Sequence, residues 1–265
     1  MTKIIALDAG HGLNTAGKRT PDGIHEWSLN DKVRDKVVAL LNDYDVQIIH
    51  TDNNEGATDE SLSYRLNKYM NAGVALFVSI HHNALKSTWS TATGVEVYTD
   101  VNPTTNDVKL ANLIYDKMVK YTGLKGRGVK QADFYVINQD KIPAVLCEGG
   151  FMDGTNDYKV ITSEDGQTAY AKAVAEGIIE FLGLKKKTTT VTTKTSFLIQ
   201  VDNVAKGDVL NIRAKPNPSS KITGKLDYND PYKYTIVETK KVGTETWGKL
   251  KSRIGWINLR YTKRV

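Results

Sequence analysis
The chain contains one cysteine, Cys147, among 265 residues. A single thiol excludes an internal disulfide framework and fits synthesis in a reducing compartment. No apolar run approaches the ~18 residues that would cross a bilayer. The opening stretch, MTKIIALDAG, lacks the basic segment, apolar core and small-residue cleavage site of a secretory signal. The expectation is a protein that is neither inserted in a membrane nor conventionally secreted. Histidine is scarce as well, with five in the chain, so the places where histidines fall carry information.

Charge is unevenly spread. Residues 1–182 hold 18 Lys and Arg against 24 Asp and Glu, a net of −6, whereas residues 183–265 hold 18 against 6, a net of +12. An acidic body with a basic tail suggests that the tail meets a polyanionic surface while the body does something else. The segment 183–195, which includes KKKTTTVTTKT, has no apolar periodicity and reads as a linker. The organisation expected is a domain over 1–182, a linker over 183–195 and a second domain over 196–265.

In the first domain, apolar runs alternate with helical patterns. KIIALD at 3–8, VQIIH at 46–50, VALFVSI at 74–80, GVEVY at 94–98, FYVI at 134–137 and IPAVLC at 142–147 read as strands. Helices are expected over 26–42, 61–71, 107–121 and 167–182. Continuous apolar strands separated by helices predict an α/β domain, a mostly parallel sheet with helices on both faces. The tail consists of short alternating segments broken by Gly, Pro, Asn and Asp, which predicts a small all-β barrel.

Functional groups of an open α/β sheet gather beyond the carboxyl ends of its strands. KIIALD leads into Ala9-Gly10-His11-Gly12, VALFVSI into His81-His82-Asn83, and IPAVLC into Glu148-Gly149-Gly150. Glu26 opens the helix that follows the first loop and so starts on the same edge. Three protein ligands of His and carboxylate type, with a fourth position left for water, are what a catalytic zinc requires. His11, Glu26 and His81 are assigned as ligands of one Zn²⁺, with Glu148 nearby to move the proton of the attacking water.

Competing positions exist. His82 neighbours His81, and adjacent side chains of an extended chain face opposite ways, so only one reaches the metal; spacing does not say which. His50 also ends a strand, and His25 lies beside Glu26. Cys147 as a nucleophile is disfavoured by its continuously apolar surroundings. Asp8 is a candidate to orient His11 or to cap the turn, and Asn83 a candidate for substrate contact.

These motifs carry a resemblance. D-A-G-H-G at 8–12, Glu26, S-I-H-H-N-A at 79–84, G-V-K-Q-A-D-F-Y-V-I at 128–137 and P-A-V-L-C-E-G-G-F at 143–151 resemble the zinc-dependent N-acetylmuramoyl-L-alanine amidases of the phage-endolysin and bacterial-autolysin type. The likeness spans residues 1–182. It implies metal ligation by His11, Glu26 and His81, in preference to His82, and a catalytic role for Glu148. Ala9 stands where that family usually has proline, and Met152-Asp153-Gly154 replaces its usual hydrophobic-Ser-Asn.

In the tail, L-N-I-R-A-K-P at 210–216, W-G-K-L at 247–250 and G-W-I-N at 255–258 resemble bacterial Src-homology-3-like wall-binding modules. Tyr228, Tyr232, Trp247 and Trp256 are the candidate wall-binding residues, offering aromatic faces inside a positive field.

The function implied is a peptidoglycan hydrolase that cuts the amide between N-acetylmuramic acid and L-alanine. Its partners would be peptidoglycan and anionic wall polymers, with no nucleic acid and no membrane insertion. A phage lysin held in the host cytoplasm until lysis fits the missing secretory signal. Two rivals remain: a zinc endopeptidase or carboxypeptidase cutting within the stem peptide, and a nucleic-acid-binding protein that uses the basic barrel.

Overall fold
The computed structural model describes residues 2–187 and 191–265, and for 191–195 the backbone alone. The chain divides into two compact units, one ending at Lys186 and the other beginning at Lys187. Residues 188–190 of the expected linker lie outside the described residues.

The first unit runs β1 (Lys3–Ala9), α1 (Glu26–Leu41), β2 (Val46–His50), α2 (Leu62–Asn71), β3 (Phe77–Asn83), β4 (Val95–Thr99), α3 (Thr105–Thr122), β5 (Gly126–Gln131), β6 (Ala144–Phe151), α4 (Asp157–Ile161) and α5 (Glu164–Leu182). Its six strands lie in the order β2-β1-β3-β6-β4-β5. All neighbouring pairs are parallel except β4 with β6, which is antiparallel. The sheet is therefore mixed, parallel in four of its five neighbouring pairs and reversed at one junction.

Strand parity builds the two cores. Ile5, Leu7, Val78, Ile80, Val145 and Cys147 point to one face and pack against α1, α3 and α5. Ala6, Phe77, Ala144 and Leu146 point to the other, under Tyr69 of α2 and the 3-10 turn Tyr135–Ile137. Side chains of a strand alternate between faces, so Asp8, Ser79, His81 and Glu148 all fall on the α2 face. Full burial of each Val, Leu or Ile on these faces contributes about 1.5–3 kcal/mol.

Local signals define the helix ends. Thr104 and Asp107 form a reciprocal capping box at the start of α3, and Ser163 caps α5, which ends on left-handed Gly183. FYVI is not a strand. It forms the 3-10 turn that covers α2, with the Tyr69 hydroxyl donating to the Val136 carbonyl at 2.9 Å. The slot beside β4 is taken instead by β5, the polar segment GRGVKQ.

The second unit is all-β: β7 (Val191–Val201), β8 (Val209–Arg213), β9 (Ile222–Asp227), β10 (Lys233–Val242), β11 (Glu245–Leu250), β12 (Trp256–Asn258) and β13 (Thr262–Arg264). The strand order is β13-β7-β10-β11-β12-β8-β9, and every pair is antiparallel. Ile199, Leu210, Ile212, Ile236, Leu250 and Ile257 form its core. β7 begins inside the expected linker, since its pairing with β10 extends back to Val191↔Lys241. A Val- and Thr-rich segment suits an extended chain once a partner edge is present.

Candidate functional site
Three sequence-assigned residues converge at the carboxyl edge of the first sheet. His11 follows β1, His81 lies near the end of β3, and Glu26 opens α1. Glu26 Oε1 sits 3.0 Å from His81 Nδ1, and Glu26 Oε2 sits 3.3 Å from His11 Nε2. The two imidazoles meet edge to face with centroids 4.9 Å apart. One donor atom from each of the three residues falls within 4.8 Å of the others. A tetrahedral zinc with ligands at about 2.0–2.2 Å separates its donors by roughly 3.3–3.6 Å. The donor set and its spacing fit a metal ion of that kind.

Gly10 makes this approach feasible. A Cβ on Gly10 would lie 2.0 Å from His81 Cε1, so a side chain there and the imidazole cannot share the space. Asn30, one helical turn beyond Glu26, donates through Nδ2 to the Gly10 carbonyl at 3.1 Å and accepts from His82 Nδ1 at 2.7 Å.

Glu26 is buried, which by itself would raise its carboxyl; hydrogen bonds and charge from His11 and His81 instead hold it well below the usual carboxylate range. Glu148 is the strand neighbour of His81 across β3 and β6. Its Oε2 is buried without a hydrogen-bond partner. Burial pushes the Glu148 carboxyl well up, the charges of Glu26 and Glu96 push it further, and Lys18 pulls against them. A buried carboxyl held above the usual carboxylate range in the same cavity as the donor cluster is suited to take and return a proton. His11, His81 and Glu148 line a cavity of about 520 Å³, whose other walls include Lys18, Leu62 and Tyr135.

The remaining candidates fall elsewhere. Strand parity turns His82 to the opposite face, where it is buried and lowered to about 4, chiefly by burial. His50 Nδ1 bonds Asn54 Oδ1 at 2.7 Å, away from the cluster. His25 is the residue preceding α1 and makes no side-chain cap. Cys147 is fully buried, and burial pushes its thiol up, the reverse of an activated nucleophile. The Asp8 carboxylate accepts from Arg65 Nη1 at 2.7 Å, Thr51 Oγ1 at 2.7 Å and Ser79 Oγ at 2.6 Å. Asn83 lines the cavity and donates to Glu96 Oε1 at 2.5 Å.

In the second unit, Trp247 and Trp256 are buried among core residues, with Lys240 and Lys249 lying 5.3 and 5.7 Å from the Trp256 ring. Tyr228 is half-buried and Tyr232 is 69% exposed. Only the tyrosines present substantial ring surface.

Sequence reasoning missed Arg65, Asn30 and Glu96. The signal for Arg65 was available: Leu62, Arg65 and Tyr69 share one stripe of α2, and a cation on an apolar stripe calls for a buried partner.

Residues 5–180 match the Amidase_3 family, described as N-acetylmuramoyl-L-alanine amidase. The chain is 32% identical over 264 residues to an endolysin of Bacillus phage SPP1, covering 95% of this chain and 94% of that protein. It is 33% identical over 178 residues to the N-acetylmuramoyl-L-alanine amidase LytC of Bacillus subtilis (strain 168), covering 67% of this chain and 35% of that protein. Among solved structures, the catalytic domain of CwlV, an N-acetylmuramoyl-L-alanine amidase from Bacillus (Paenibacillus) polymyxa var. colistinus, superposes with a TM-score of 0.63 at 29% identity, covering 69% of this chain and 99% of that one. A family match over most of the chain coincides with the site built above: the protein belongs to the N-acetylmuramoyl-L-alanine amidase family.

Proposed function
We propose that the protein hydrolyses the amide between the lactyl group of N-acetylmuramic acid and the L-alanine of the peptidoglycan stem, with His11, Glu26 and His81 holding one zinc ion and Glu148 as the catalytic base. The observation that carries this reading is the pairing of a two-imidazole, one-carboxylate donor cluster with an unpartnered buried carboxylate oxygen in the same cavity. Bound there, zinc would supply a Lewis acid for the scissile carbonyl and bring the pKa of water towards about 7. Glu148 Oε2 takes the proton from the attacking water as its oxygen adds to the lactyl carbonyl carbon. The same carboxyl then delivers that proton to the alanine nitrogen as the C–N bond breaks, leaving a free lactyl carboxylate and a new amino terminus. Lys18, on the cavity wall and near enough to lower the Glu148 carboxyl, adds positive potential to the cavity in which oxyanion charge would develop.

The second unit is read as a small Src-homology-3-like barrel that holds the enzyme on the wall. Its net charge of +12 over residues 183–265 favours an anionic polymer, and the phage SPP1 endolysin aligns along nearly the whole chain. That relative also favours a phage lysin acting on the wall after release. No helix among the described residues is long and apolar enough to cross a membrane. Tethering raises the local concentration of the catalytic unit on its substrate.

Mass spectrometry of a digested Gram-positive wall tests the assigned bond. Free lactyl ends together with new L-alanine amino termini are expected; new termini only within the stem peptide would replace the amidase reading with a zinc endopeptidase or carboxypeptidase. Pulldown on purified walls and on DNA at matched salt tests the tail: retention on walls, weakening as salt rises, is expected, and retention on DNA alone would overturn it.

A further inference from the structure
His11 has φ +68°, in the left-handed region that non-glycine residues seldom adopt. The glycines on either side do not carry this strain, since neither has a positive φ. Both are glycine for clearance: a Cβ on Gly10 would meet the His81 ring, and one on Gly12 would lie 2.9 Å from Asp59 Cα. The one residue of Gly10-His11-Gly12 in a left-handed conformation is thus the one whose imidazole faces Glu26. Something outside the loop must hold it there.

Arg65 provides the hold. It is buried, and all five of its N–H donors are engaged. Nε donates to the Glu60 carbonyl at 2.9 Å; Nη1 donates to Asp8 Oδ1 at 2.7 Å and the Ala9 carbonyl at 3.0 Å; Nη2 donates to the His11 carbonyl at 2.8 Å and Asp59 Oδ1 at 3.0 Å. Asp59 Oδ2 accepts from Thr15 Oγ1 at 2.6 Å, and Thr15 Oγ1 accepts from the Gly12 amide at 2.9 Å. The His11 carbonyl and the Gly12 amide belong to one peptide unit. Arg65 grips one edge of that unit and Thr15 the other, with Asp59 closing the ring. Through Asp8 the same guanidinium is tied to Ser79, which shares a strand face with His81.

We infer that Arg65, in a clamp completed by Asp59 and Thr15, is a positioning residue that fixes the His11–Gly12 peptide so that the His11 imidazole meets Glu26 and His81 in one metal-binding cluster. The inference rests on the reading of that cluster as a zinc site. It assigns metal affinity to groups that hold the His11 backbone and are not themselves among the three donors. A lysine at 65 would keep the charge beside Asp8, but a single ammonium cannot reach five carbonyl and carboxylate acceptors in the fork geometry of a guanidinium.

The test is zinc affinity of the full chain by competition with a chromophoric chelator, paired with thermal melting of the zinc-free protein. Arg65→Lys is expected to weaken zinc binding about ten- to a hundredfold, the range for losing an outer partner of a metal ligand. Thr15 is half-buried in the loop and supplies one edge of the clamp; Thr15→Val is expected to weaken zinc binding about fivefold to tenfold while lowering the melting temperature of the zinc-free protein only slightly. If Arg65→Lys does not fold, Thr15→Val decides. Wild-type protein that binds zinc while Thr15→Val binds it equally well would overturn the clamp and leave the metal site standing. Wild-type protein that binds no zinc would overturn the metal reading, and the clamp with it.

Discussion

Glu148 and Glu96 are cross-strand partners on the antiparallel pair β6 and β4, and only one of these two carboxylates is compensated. Glu96 accepts from Arg127 Nε at 2.7 Å, Tyr98 Oη at 2.8 Å, Asn83 Nδ2 at 2.5 Å and the Lys130 ammonium. Glu148 Oε2 accepts from nothing. Burial would raise the Glu96 carboxyl, but its hydrogen bonds hold it below the usual range, so it stays charged and raises Glu148 in turn. The sheet places a charged carboxylate beside the proposed catalytic base.

Neutralising that anion should shift the pH profile. In the proposed mechanism Glu148 works as a base when ionised, and Glu96 opposes its ionisation. In Glu96→Gln the opposing charge is gone, and Arg127 and Lys130 are freed to act in the same direction. The acidic limb of kcat/KM against pH is expected to move down by about half to one unit. A limb that stays in place or moves up would contradict the coupling.

Gly10→Ala puts a methyl group 2.0 Å from His81 Cε1 and 2.1 Å from Nε2. The imidazole must swing away from Glu26. Zinc stoichiometry measured by atomic absorption is expected to fall well below one per chain, with far-ultraviolet circular dichroism close to wild type. Full zinc content in a folded variant would show that His81 is not held as described.

His82 makes a separable prediction about stability. Burial lowers it to about 4, with His81 adding to that and the charge of Glu26 opposing it. In the unfolded chain its value is about 6.5. Between those two values the unfolded state binds more protons, so stability present above pH 6.5 is lost as the pH falls towards 4. Its contribution is on the order of 3 kcal/mol. Urea unfolding of the zinc-free protein at stepped pH is expected to show this decline, and His82→Gln is expected to flatten it. An unchanged slope in His82→Gln would assign the acid sensitivity to other groups.

Much of the fold was legible because buried strands of an α/β sheet are apolar without interruption, as in IIAL, ALFVSI and AVLC. The edge strand GRGVKQ was not legible, since an exposed edge needs no hydrophobic run. FYVI was read as a strand because four apolar residues fit a strand or a tight turn equally well. His11, Glu26, His81 and Glu148 could be found by asking where strands end. The choice between His81 and His82 needed strand parity, which fixes a face only when the core on that face is known. Asp8 and Arg65 lie 57 positions apart and meet only because α2 covers the face on which Asp8 points. Glu96 reaches Glu148 because β6 is inserted between β3 and β4, an order the chain does not follow.

The most direct measurement is zinc content of the purified full-length protein alongside wall digestion before and after chelation, with Glu148→Gln as companion. The expected result is one zinc per chain, release of lactyl ends that stops on chelation and returns with added zinc, and a companion that keeps its zinc while turning over about a hundredfold to ten-thousandfold more slowly. Zinc-free protein that still liberates lactyl ends, or a fully active Glu148→Gln, would contradict the account.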